Sequence, residues 1–240
     1  MSGADQRAFS DVPFWIAALL ATSLGLQLAW QATSATGASS ADLPPAPRAE
    51  ALKLAALAEE PAAARLAMLY VQSFDYSGAN PIPYRKLDYA RLTAWLNAIL
   101  ALDPRSDYPL FSAARIYAEN PDPARSREVL EFVYRAFLDD PDRRWPWLAQ
   151  AALLAKHRLG DLPLALRYAR AVDRLTKDPK MPAWARQMEI FILEDMNELE
   201  AARIMLGGLL ASGQIKDPAE ARFLAERLKD LERRLGQPKG

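Results

Sequence analysis

The sequence contains no cysteine, and this absence excludes several kinds of site. Disulfides, a thiolate nucleophile and cysteine-ligated zinc are ruled out, as is a lipid anchor carried on a cysteine. The one histidine, His157, stands between Lys156 and Arg158, just before Gly160. Because cationic side chains suit the end of a helix, we interpret His157 as a helix-terminal residue and not as a catalytic base.

An excess of basic residues and a recognisable catalytic motif are also missing. The formal net charge is zero, whereas proteins that bind nucleic acid usually carry a basic excess or stripe, so we predict no nucleic-acid partner. The acidic run at 139–142 lacks the glycine turn of a calcium loop, and we interpret it as capping of helix ends. We therefore predict no metal, no cofactor and no enzymatic activity.

One apolar segment stands near the N-terminus. Residues 14–30 carry no charge, and Trp15 and Trp30 lie near the two ends, where an interfacial aromatic belt would place them. We predict that residues 13–30 form a single-pass membrane anchor; a cleaved signal segment and a buried core helix are the alternatives. Arg7 precedes the segment and no basic residue follows until Arg48. The positive-inside rule then predicts export of the following domain to the periplasmic side, or its secretion if the segment is cleaved.

Composition divides the rest of the chain into a linker and a helical domain. Residues 31–47 are rich in Ala, Ser, Thr, Gly and Pro, which predicts a flexible tether with no core. Beyond it, Ala, Leu and Arg are abundant while Val, Ile and Thr are scarce, which favours helix over strand. We predict a helical repeat domain at 48–235, with short tails at 1–12 and 236–240.

Asp-Pro recurs four times at nearly equal spacing. The prolines are 37, 38 and 39 residues apart, at Pro104, Pro141, Pro179 and Pro218. The residue before a proline is driven out of the α region, so each step ends a helix, and proline is tolerated at the start of the next one. The spacing therefore predicts an all-α stack of helical hairpins.

Further signals predict where individual helices begin. A second proline follows three of the steps, and we predict the next helices at 110–118, 147–158 and 183–193. Aspartates are predicted to cap the helices that follow Asp88, Asp122, Asp161 and Asp217. Gly207-Gly208 falls inside a helix and predicts the close approach of a neighbouring helix. A leucine stripe at 224, 228, 231 and 235 predicts a C-terminal cap on the last hairpin, or a short coiled coil.

The stretch from Trp147 to Pro179 resembles the tetratricopeptide repeat family. It has an Ala-rich first helix, Gly160-Asp161 at the turn, Ala165 in the second helix and Asp178-Pro179 at the end. The repeat units of this chain are longer than the family's repeat, and Gly160 has no equivalent in the other units. Extended over residues 54–235, the resemblance implies a right-handed superhelix of about four hairpins plus a capping helix. It also implies a concave face that binds a peptide or protein, and no chemistry.

Three sets of residues are candidates for contact with a partner. The long connection at 75–86 and the Arg-Trp run at 143–147 carry residue types that interfaces favour. If the family geometry holds, polar side chains of the first helices face the groove. The candidates are Tyr76, Tyr84, Arg85, Ser112, Arg115, Arg144, Gln150, Arg186 and Gln187.

These observations predict a non-enzymatic, membrane-anchored scaffold or adaptor for a protein or peptide. The first alternative is a structural accessory subunit of a cell-envelope complex, held through its transmembrane helix. The second is a hydrolase or transferase with a non-standard site, which would need perturbed acid–base neighbours that the sequence does not display.

Overall fold

The computed structural model describes residues 13–34, 43–74, 84–213 and 215–236, and these residues are all-helical. They form eleven α-helices and contain no strand. The chain divides into two compact units, with the boundary between residues 41 and 42. The predicted all-α class is confirmed for the described residues.

The first unit contributes one helix, α1 (Phe14–Ser34). Its apolar side chains are exposed, among them Phe14, Trp15 and Trp30. Judged by length and mean hydropathy, none of the helices formed by the described residues reaches what a membrane span requires.

The second unit contains the other ten helices, joined by short connections. Two single 3₁₀ turns, Tyr84–Lys86 and Tyr117–Glu119, lie among them. The α-helices are α2 (Ala49–Ala55), α3 (Glu60–Ser73), α4 (Tyr89–Leu102), α5 (Tyr108–Arg115), α6 (Pro123–Asp139), α7 (Pro141–His157), α8 (Leu162–Leu175), α9 (Ala183–Asp195), α10 (Leu199–Ala211) and α11 (Pro218–Gly236).

The aspartate caps lie where the sequence predicts them. The carboxylate of Asp88 accepts a hydrogen bond from Arg91 N at 3.1 Å, and Asp122 accepts one from Ala124 N at 2.9 Å. Asp161 accepts from the backbone N–H of Leu164 at the start of α8. Burial acts to raise the pKa of Asp161, but hydrogen bonds from Leu164 and Arg127 outweigh it, so the pKa lies below its usual range.

Consecutive helices pack as hairpins, and each hairpin contacts the next one. The first helices of the hairpins are α3, α5, α7 and α9, and their partners are α4, α6, α8 and α10. The second helix α4 also contacts α6, and the first helix α5 contacts α7. A continuous core runs through these contacts from Leu43 to Leu231. Such sharing of apolar faces is how single hairpins become stable.

The C-terminal leucine stripe belongs to this core. Leu224 and Leu231 on α11 are fully buried, Leu228 packs against the core, and Leu235 is exposed. Since α11 packs on α10, its stripe is occupied within the chain.

The last residues of the predicted tether pack against the repeat domain. Leu43 is fully buried, and its backbone oxygen accepts a hydrogen bond from Arg91 Nη1 at 2.9 Å. The backbone oxygen of Pro44 accepts one from Trp95 Nε1 at 2.8 Å. Side chains of α4 therefore hold residues 43–44 against the repeat domain, because an extended segment offers backbone oxygens that no helix satisfies.

Two predictions of local structure are wrong. The helix predicted at 147–158 begins at Pro141 and includes Pro146, whose position early in α7 costs the helix only one backbone hydrogen bond. A Cβ atom built on Gly207 or Gly208 would meet nothing within 4 Å. No neighbouring helix approaches this pair among the described residues, so close packing does not explain the two glycines.

Candidate protein-binding surface

Aromatic side chains recur along the first helices and α11. We define the aromatic row as the side chains of Tyr70, Tyr108, Phe111, Trp145, Trp147, Trp184, Phe191 and Phe223. Five of them keep between 40% and 56% of their surface exposed, namely Tyr70, Tyr108, Phe111, Trp184 and Phe223. The other three are half-buried against the core.

Ring contacts within the row join α5 to α7, α7 to α9 and α9 to α11, and a hydrogen bond from α3 reaches Tyr108. Gln72 Nε2 on α3 donates to the Tyr108 hydroxyl on α5 at 2.7 Å. Phe111 meets Trp147 of α7 edge to face, with ring centroids 5.8 Å apart. Trp145 of α7 meets Trp184 of α9 at 6.1 Å, and Phe191 meets Phe223 of α11 at 6.5 Å. The row therefore runs through all five helices.

Aspartates in the connections between hairpins fix two of the indole rings. Trp147 Nε1 lies 3.3 Å from Asp107 Oδ1, and Trp145 Nε1 lies 3.4 Å from Asp178 Oδ2. The N–H edges of the two rings are thus satisfied within the chain. Rigid, partly exposed aromatic rings bury a large area on contact at a small entropic cost.

The second helices form a different feature, a groove lined by arginines. The groove has a volume of about 480 Å³ and lies between Tyr134 on α6, one side of α8 and Met196. Three cations of α8 line it, Arg167, Arg170 and Arg174. We call this feature the arginine groove.

Its first two arginines are held by partners within the chain. The Arg167 guanidinium lies 4.8 Å from the centre of the Tyr134 ring and pairs with Glu131. Arg170 Nε lies 2.7 Å from Oε1 of Glu189, a carboxylate that is almost fully buried. Burial raises the pKa of the Tyr168 hydroxyl, which also lies beside Arg167, so this tyrosine stays neutral.

Three of the residues predicted to contact a partner are buried. The hydroxyl of Ser112 has no surface, and Gln187 donates to Glu220 Oε1 at 2.5 Å. Arg144 donates to the backbone oxygens of Ala136 and Pro104. For these residues the prediction of surface contact is wrong, because the helix faces that carry them turn toward neighbouring helices.

The remaining predicted residues that the structure describes keep part of their surface exposed. Arg115 and Arg85 are exposed, and the Arg85 guanidinium lies 5.8 Å from the centre of the half-buried Tyr84 ring. Gln150 and Arg186 are half-buried, and Arg186 donates to the backbone oxygen of Asp178. Tyr76 lies outside the described residues.

Sequence reasoning missed the aromatic row, although a signal for it exists. An aromatic residue follows each Asp-Pro proline by four or five positions, as Tyr108, Trp145, Trp184 and Phe223. A ring at a fixed distance from a helix start occupies an equivalent place in every unit. The repeat of this spacing could have identified the row.

Comparisons with known proteins give no family for the chain: no family model matches it, nor does any curated protein or solved structure. Within the described residues, no group of three or more histidines and carboxylates could hold a metal ion. His157 is exposed at the end of α7.

Proposed function

We propose that this protein is a non-enzymatic scaffold that binds a protein or peptide through the aromatic row. The proposal includes a tetratricopeptide-like architecture, a right-handed stack of hairpins whose first helices form the binding face. The observation that carries it is the chain of partly exposed rings from Tyr108 to Phe223. Aromatic side chains supply a large share of binding energy at protein interfaces.

The row offers several anchoring points of comparable strength. Complete burial of one apolar or aromatic side chain contributes about 1.5–3 kcal/mol. Phe111 and Trp184 have already lost about half of that gain within the chain, as they are 41% and 50% exposed. One ring is thus a weak anchor, and a partner that covers several rings at once is needed for stable binding.

The test is affinity purification with single substitutions on matched surfaces. Phe111→Ala and Trp184→Ala remove rings of the row. Leu138→Ala and Ile204→Ala are the controls, because these side chains are 45% and 61% exposed but lie on the second helices α6 and α10. Partner recovery from native extracts is measured by quantitative mass spectrometry, and circular dichroism checks that every variant folds.

The proposal expects each ring substitution to reduce recovery of the same partner about three- to tenfold, the equivalent of about 0.7–1.4 kcal/mol. The two control substitutions should leave recovery unchanged. Equal losses of partner recovery in the row variants and the control variants would refute the aromatic row as the binding face. So would a partner whose recovery is unchanged in all four variants.

A second candidate function is that of an accessory subunit of a cell-envelope complex, held through α1. It is favoured by the exposed apolar side chains that cover this helix. Placement of residues 13–30 in a membrane, and export of the repeat domain, are part of this proposal. Deletion of residues 14–30 separates the two functions, because a scaffold still binds its partner in solution whereas a subunit held through α1 leaves its complex.

A further inference from the structure

The arginine groove carries a second inference, independent of the aromatic row because it lies on second helices. Arg167, Arg170 and Arg174 are spaced i, i+3 and i+7 along α8, so they share one side of the helix. We propose that this groove binds an acidic segment of a partner protein.

Arg174 is available to bind a carboxylate of a partner. Its side chain is exposed, and it makes no hydrogen bond or ion pair with the part of the chain that the structure describes. The neighbouring carboxylate Asp173 also interacts electrostatically with Arg174, but the described residues show no hydrogen bond or ion pair between the two. The Arg174 guanidinium is therefore free to bind a carboxylate with two parallel hydrogen bonds.

The other two arginines are held in place by partners within the chain. Glu131 and Glu189 neutralise Arg167 and Arg170, and the stacking of Arg167 on Tyr134 fixes the plane of its guanidinium. Each guanidinium has five N–H donors, more than one carboxylate can accept. Donors that remain free on Arg167 and Arg170 can bind further oxygens of the incoming segment.

The apolar part of the groove favours a peptide over nucleic acid. Leu166, Leu175 and Met196 line it beside the arginines, and Leu175 is 45% exposed. Aliphatic side chains next to carboxylates fit this mixture. A nucleic-acid backbone instead needs a track of unpaired cations, whereas two of the three arginines here are already paired with glutamates.

The test measures binding of short fluorescein-labelled peptides to the purified full chain by fluorescence anisotropy. The probe is a peptide of alternating Glu and Leu, and its comparison peptide has Gln in place of Glu. The variant is Arg174→Gln. The matched control is Arg234→Gln, which removes an exposed arginine from the last turn of α11. Trp184→Ala is included to separate this groove from the aromatic row.

We expect the full chain to bind the Glu peptide and not the Gln peptide, and to bind it less tightly as salt is raised. Arg174→Gln should weaken binding about tenfold, the loss of one charge-assisted contact, while Arg234→Gln and Trp184→Ala leave it unchanged. Absence of binding, equal affinity in Arg174→Gln and Arg234→Gln, or stronger binding of a single-stranded DNA oligonucleotide would overturn the proposal. A loss confined to Trp184→Ala would also overturn it, and would assign the peptide to the aromatic row.

Discussion

Replacement of Arg144 by alanine tests how the hairpins are joined. Arg144 is 6% exposed and donates to the backbone oxygen of Ala136 at 2.6 Å, in the last turn of α6. It also donates to the backbone oxygen of Pro104 at 3.0 Å, in the connection that follows α4. One guanidinium at the start of α7 thus satisfies carbonyl groups from two preceding hairpins. The carbonyl of Ala136 is one that helix geometry leaves without a partner.

The size of the effect follows from these two hydrogen bonds. A hydrogen bond to a charged group contributes about 1.5–3 kcal/mol when it is buried. The bond to Ala136 is buried, while the bond to Pro104 is only partly so and borders an open groove that water can enter. The ion pair with Asp139 adds little, because the two groups are 3.7 Å apart and Asp139 is 80% exposed. We expect Arg144→Ala to lower the free energy of unfolding by about 2–4 kcal/mol.

Urea unfolding followed by circular dichroism measures this loss. Arg143→Ala is the control. Arg143 also donates to the backbone oxygen of Arg105, but it is 42% exposed and this bond is open to water, so its loss should cost less than about 1 kcal/mol. Arg144→Lys should fall between the two, because an ammonium group keeps the charge but not the fork of donors. If Arg144→Ala proves no more destabilising than Arg143→Ala, the account of how the hairpins are joined is refuted.

Three further predictions concern single helices. Asp161→Ala should cost about 1 kcal/mol at neutral pH. The folded-state pKa of Asp161 is lowered from 3.8, so the stability difference between the wild type and Asp161→Ala should be lost as the pH falls from 3.8 through the lower folded-state pKa. A stability difference that persists in stronger acid contradicts the role of the carboxylate. Gly208→Ala should raise the stability of α10 by roughly 0.5–1 kcal/mol, since the added methyl group meets no neighbour, and a lower melting temperature would show a hidden contact. Pro146→Ala should stabilise α7 by about 1–2 kcal/mol by restoring one helix hydrogen bond, and an unchanged urea midpoint would show that the proline costs nothing there.

Helix boundaries could be predicted from the sequence because their causes are local. An aspartate such as Asp122 or Asp161 caps the helix that follows it within three residues, so the signal and its effect share one turn. The predicted start of α7 after Pro146 is wrong, because the preference of proline for a helix start does not decide where α7 begins. The cost of a proline in the second turn is small enough for the rest of α7 to overcome it.

The candidate surfaces were harder to predict because they depend on contacts between hairpins. Ser112 and Arg144 are polar residues on first helices, and the sequence does not say which way they turn. Leu43 lies in a segment whose composition indicates a linker, yet Arg91 and Trp95 hold that segment in place from about fifty positions away. Such bonds are invisible to a periodicity argument.

Site-specific photocrosslinking tests the central claim most directly. A benzophenone amino acid is placed at position 111 or 184 in the aromatic row, and at position 138 or 204 on the second helices as controls. If the row is the binding face, positions 111 and 184 will crosslink to one common partner and the control positions will not. Crosslinking of that partner from 138 and 204, with none from 111 and 184, would contradict the account.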